Sequence, residues 1–82
     1  MARRKVAVSK EMSAEQIAYY VRDLMNSSSK IEETLGEAMW EAIYAARDRM
    51  GACIRTLSGF NGKSEEMDQV IQSIIAKLRG EA

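Results

Sequence analysis

Two carboxylates, Glu37 and Glu41, stand four residues apart, the spacing at which a helix brings side chains onto one face where they can share a proton or a metal ion. A di-metal site in a helical bundle also needs ligands from facing helices, commonly Glu-x-x-His, and the chain has no histidine. Glu37 therefore reads as part of a solvated acidic face. Glu41 has apolar neighbours, and would need a cationic or hydrogen-bonding partner if buried. Cys53 is the single cysteine, so no intrachain disulfide forms and no His/Cys zinc site can be built. It falls on an apolar seam, where a thiol acts as a small hydrophobe; a reactive one needs an accessible, electropositive setting. There is no glycine-rich phosphate loop and no nucleophile–base pair. We expect no catalytic set, no metal, no cofactor and no enzyme activity.

Charge is the second kind of chemistry. Lysines and arginines balance aspartates and glutamates, twelve against twelve, yet Met1 to Lys10 carries Arg3, Arg4, Lys5 and Lys10 and no acid. A +4 segment joined to a −4 body suits an anionic partner, either nucleic acid or an acidic protein surface. A solubilising terminus has the same composition. Val6-Ala7-Val8 is too short for a signal-peptide core and no window approaches a membrane span, so a soluble cytoplasmic protein is expected.

The elements that must position these groups follow from periodicity. Eighty-two residues, 46% hydrophobic and 29% charged, suit one globular domain with a modest core. Residues 1–12 form a basic arm or strand: Lys5, Ala7 and Ser9 alternate with Val6 and Val8, period two, which fits either a short paired strand or an arm without regular structure. Ser13-Ala14-Glu15-Gln16 is a capping box opening a helix over residues 13–26, with Ile17, Val21 and Leu24 on its apolar stripe. Asn26-Ser27-Ser28-Ser29 stops it.

A second capping box, Ser29-Lys30-Ile31-Glu32, opens what reads as one long helix over residues 29–58, about 42 Å from Lys30 to Leu57 at 1.5 Å per residue. Met39, Ile43, Ala46, Met50, Cys53, Leu57 and Phe60 hold one seam, and Trp40 and Tyr44 add a second apolar edge. So greasy a helix needs more cover than two flanking helices supply, which predicts an obligate oligomer with Met39, Trp40, Ile43, Tyr44 and Met50 at the interface. Val6 and Val8 join that interface if their segment pairs as a strand. Gly51-Ala52 marks a close crossing or a bend. Ser64 caps a third helix over residues 64–79, with Val70, Ile71, Ile74 and Leu78 on its stripe, folding back as an antiparallel hairpin. The expected class is mainly α: a short N-terminal strand or arm, then three helices with a long central one.

Residues 5–46 resemble the ribbon-helix-helix family of DNA-binding proteins. Lys5-Val6-Ala7-Val8-Ser9 is similar to that family's strand, Ser13 to Met25 to its first helix, Asn26 to Ser29 to its turn, and Thr34-Leu35-Gly36-Glu37-Ala38-Met39 to its second helix. The resemblance implies a homodimer whose paired strands enter the major groove. It places Lys5, Ala7 and Ser9 facing base edges, and Ser28, Ser29 and Lys30 where a helix N-terminus meets a phosphate. Arg3 and Arg4 would add sequence-independent affinity. The turn lacks the family's glycine, alanine at the central outward position reads little but a thymine methyl, and the second helix runs past the family's end.

Two functions are therefore expected. One is a homodimeric or higher-order DNA-binding regulatory or accessory protein. The other is an all-helical interaction module (adaptor, small chaperone, inhibitor or phage or plasmid accessory protein) that takes a protein partner on its Trp40/Tyr44 face.

Overall fold

The structure, a computed structural model, describes residues 11–81. These form four α-helices: α1 (Ala14–Met25), α2 (Lys30–Tyr44), α3 (Arg49–Gly59) and α4 (Glu65–Arg79). No strand occurs among the described residues, and the strand expected over residues 5–9 lies outside them.

Each helix starts on a polar cap. Ser13 and Gln16 close the expected box on α1, with Ser13 N–H donating to Gln16 Oε1 at 2.8 Å and Gln16 N–H to Ser13 Oγ at 3.2 Å. The box on α2 is only half made. Ser29 Oγ accepts from Glu32 N–H at 3.3 Å, but the Glu32 carboxylate takes the Ser27 hydroxyl at 2.6 Å, and Ser27 Oγ in turn accepts Ser29 N–H. Ser64 caps α4 as expected, accepting from Met67 N–H at 3.0 Å.

The single helix expected over residues 29–58 is two helices. α2 ends at Tyr44, and Asp48 starts α3 afresh by accepting Gly51 N–H on its carboxylate at 3.1 Å. A side chain at position 51 would put its Cβ 2.5 Å from that carboxylate, so glycine there makes room for the cap. The break trades intrahelical hydrogen bonds for burial of the α3 stripe. Each intrahelical hydrogen bond forgone at the break is worth about 1 kcal/mol net. Folding back buries Leu57 completely, and a buried leucine alone contributes roughly 1.5–3 kcal/mol.

This break also changes what covers the seam expected at an oligomer interface. α3 lies against α2 and covers part of that seam. Met39 and Ile43, expected at an oligomer interface, are enclosed by the chain's own helices at 0% and 3% exposure. Glu41 is exposed and needs no buried partner.

The core takes three residues from each helix: Ile17, Val21 and Leu24; Leu35, Met39 and Ile43; Ala52, Cys53 and Leu57; Ile71, Ile74 and Leu78. That equal share makes the four helices one body around one core, and no polar side chain is buried among the described residues. The tightest crossing is at Gly36, where an added Cβ would meet Met25 N at 2.8 Å and Leu24 Cβ at 3.0 Å. Glycine costs α2 up to about 1 kcal/mol of helix propensity and lets α1 close on it. α4 rests on both α2 and α3 and ends at Gly80, whose φ of 75° is a left-handed cap. There Glu81 N–H donates to Ala76 O and Gly80 N–H to Lys77 O, while Met12 N–H reaches the next carbonyl, Leu78 O, at 2.9 Å.

Two substitutions test this packing. Gly36→Ala should lower the unfolding free energy by about 1–3 kcal/mol in urea denaturation despite its better helix propensity, because the clash is with backbone. Asp48→Ala should cost about 1 kcal/mol by loss of the cap; an unchanged urea midpoint would mean that the break does not depend on it.

Candidate functional site

Where α2 stops, its last side chains lose the turn that would have covered them. Tyr44 is the final helical residue and is 85% exposed, the most accessible large hydrophobic side chain described. One turn back, Trp40 is partly buried and packs on the core. Ala18 of α1 is small enough to leave a hollow beside them, and Arg49, the first residue of α3, closes its end. Together with Ile43 they line a groove of ≈ 290 Å³.

Arg49 is fixed in place. Its Nη1 donates to Ala14 O at 2.8 Å, tying the start of α3 to the first turn of α1. A guanidinium has five N–H donors, and the others make no hydrogen bond within the described chain. The groove thus combines an aromatic wall, an aliphatic floor and a positioned cation.

A second hollow, ≈ 540 Å³, opens between α1, the α1–α2 turn and α4, lined among others by Tyr20, Asp23, Ser27, Glu32, Ser73 and Lys77. The Lys77 ammonium stands 6.0 Å from the centre of the Tyr20 ring. Burial, and secondarily the nearby Glu32 carboxylate, push the Tyr20 hydroxyl up from 10.0 to about 12, so it stays protonated at neutral pH. Its wall carries both signs of charge. Among the described residues no cluster of three or more His, Cys, Asp or Glu side chains is placed to hold a metal ion, and no helix is long and apolar enough to cross a membrane.

The residues expected to matter are scattered. Arg3, Arg4, Lys5, Val6, Val8 and Ser9 lie outside the described residues. Ser28, Ser29 and Lys30 are exposed at the start of α2, where a phosphate was expected. That helix end is already occupied: Ser29 Oγ serves Glu32 N–H, Lys30 Nζ pairs with Glu33 at 3.6 Å, and Glu32 and Glu33 fill the first turn with negative charge. A phosphate there would face two carboxylates. Trp40 and Tyr44 do come together, whereas Met50 is partly buried and does not line the groove. Ala18 and Arg49 were missed. Reading Asp48-x-x-Gly51 as a cap would have brought Arg49 to the end of α2.

Comparison with protein-family models, with curated proteins and with solved structures finds no match for this chain. No outside relative therefore bears on the ribbon-helix-helix resemblance, and the chemistry of the two hollows is the ground for a function.

Cys53 is fully buried, and burial pushes its thiol up from 9.0 to about 11. The unfolded chain releases this proton near pH 9 and the folded chain holds it, so stability should fall as pH rises from about 9 to 11. Iodoacetamide should leave the native protein unmodified at pH 8 and label it readily in urea. Tyr20 adds its own decline above pH 10 by the same linkage, so Cys53→Ala should make the fall shallower, most clearly between pH 9 and 10, without removing it; an equal slope there in that variant would mean the thiol is not its source.

Proposed function

We propose that the protein is a non-enzymatic helical interaction module that takes an amphipathic helix of a partner protein in the Trp40/Tyr44 groove. The observation that carries this is the 85% exposure of Tyr44 beside a hollow with a fixed cation at its end. A solvent-exposed aromatic adjoining a half-buried one is the composition of an interface anchor. At ≈ 290 Å³ the hollow sits at the small end of ligand pockets and has room for one or two apolar side chains. The Arg49 guanidinium selects what accompanies them: a carboxylate one turn from the apolar anchor on the partner helix, within reach of its remaining donors.

Trp40 is the only tryptophan in the chain, so its emission reports on the groove directly. A library of helical peptides selected on the protein should yield binders with a large apolar residue and Asp or Glu one turn away, and these should shift the Trp40 emission to the blue. Tyr44→Ala, which removes an exposed side chain and leaves the core intact, should weaken them by tenfold or more, on the order of 1.4 kcal/mol. Arg49→Gln should abolish the preference for the carboxylate. Peptides that bind without moving the Trp40 emission, or equally well to Tyr44→Ala, would refute the site.

A further inference from the structure

The groove calls for a helix with a large apolar residue and a carboxylate one turn away, and the chain carries such a helix itself. On α2, Glu41 precedes Tyr44 by three residues and Glu37 precedes Glu41 by four, so both carboxylates and the ring lie along one face. All three side chains are exposed. Neither carboxylate makes a hydrogen bond or an ion pair among the described residues. Like charges at that spacing repel each other, and no described side chain offsets them. Arg49, with donors left over from its bond to Ala14 O, stands at the end of the same hollow that Tyr44 borders.

We propose that the helix taken by the Trp40/Tyr44 groove is α2 of a second copy of the chain, in an antiparallel pair about a two-fold axis between Trp40 and Tyr44. The proposal rests on the groove being a helix-binding site and names its occupant. With the axis midway between positions 40 and 44, Tyr44 of each copy stands level with Trp40 of the other. Glu41 and Glu37 then stand level with positions 43 and 47, which carries both carboxylates to the end of the opposite α2, where Arg49 closes the hollow. Asp48 does not oppose them there, because its carboxylate is turned to the Gly51 amide.

Self-complementarity favours a second copy over an unrelated helix. Another partner would leave Glu37 and Glu41 to be matched by groups of its own, whereas a second α2 brings Arg49 with it. Each contact is made twice, and the pair closes on itself without growing into a filament. The aromatic edges form an apolar centre and the ion pairs a polar rim, as in other interfaces. Of the residues expected at an oligomer interface, Trp40 and Tyr44 serve here, while Met39 is enclosed in the core of its own chain. One helix pair is a small interface, so the dimer is weak, with Kd on the order of 10–100 µM.

Sedimentation equilibrium on the full chain, from about 5 to 500 µM, spans that range. The wild type should pass from monomer to dimer, and the Trp40 emission should move to the blue over the same concentrations. Tyr44→Ala should weaken association tenfold or more. Glu37→Lys with Glu41→Lys in one variant, and Arg49→Glu in another, should each be monomeric, because like charges then meet at both contacts. An equimolar mixture of these two variants should dimerise, because opposite charges meet at both. Circular dichroism checks that each is folded; should Arg49→Glu lose its fold with the Ala14 contact, Tyr44→Ala and the glutamate pair, all surface changes, decide the matter. A wild type that stays monomeric at 500 µM overturns the proposal, as does a dimer that survives Tyr44→Ala or the glutamate pair, or folded charge variants that do not pair when mixed. If helical peptides still move the Trp40 emission of a monomeric wild type, the groove stands as a helix site and only the second copy is ruled out as its occupant.

Discussion

The contact on which the architecture depends is the one between the Asp48 carboxylate and the Gly51 amide. Without a fresh start at that point, α2 and α3 would be one rod with an uncovered apolar seam. With it, α3 turns back, and Cys53 and Leu57 become lining for Met39 and Ile43 instead of a continuation of their stripe. The same turn leaves Tyr44 at a helix end and brings Arg49 to the carbonyl of Ala14. One aspartate thus decides both how the core closes and what stands at the edge of the groove.

The interior and the surface divide the work cleanly. No polar side chain is buried among the described residues, so the fold is held by apolar packing and by backbone caps. Gly36 sets how near α1 and α2 can come, and the layers of Leu24, Leu35 and Met39 follow from that approach. Lys30 and Glu33 form a side-chain ion pair at the surface. Exposed pairs of that kind contribute little. The charged side chains that do serve the fold act locally, as Asp48 caps α3, Asp68 accepts from Gly62 N–H and Arg49 holds Ala14 O.

Much of this was legible from residue order alone. Short polar caps announce helices because a serine hydroxyl supplies what the first amides lack, and Ser13, Ser29 and Ser64 all do so. The stripes of α1 and α4 were read correctly for the same local reason: one period, one buried face. The middle was misread because Ala45, Ala46 and Arg47 are good helix formers and the apolar spacing runs on through them. Periodicity cannot tell a stripe that continues from one that folds back and faces itself; the cap at Asp48 with a glycine three residues later could have. The value of Gly36 is not legible in residue order, since it lies in the backbone of another helix. The pairing of Trp40 with Tyr44 needed just their four-residue spacing, whereas Ala18 and Arg49 reached the same hollow through tertiary folding. The resemblance drew on residues 5–9, outside the described part of the chain, and on a helix start that proves to be acidic.

The bond from Met12 to Leu78 carries a separate consequence, for the order in which the chain gains structure. The most extensive helix packing, α1 with α2 and α2 with α3, joins neighbours along the chain, where closing a loop costs little entropy. The Met12–Leu78 contact instead spans nearly the whole described length, so it has the least to gain until the intervening helices have docked. It acts as a latch that closes last, fastening Met12 to the end of α4 once the Trp40 hollow is already assembled.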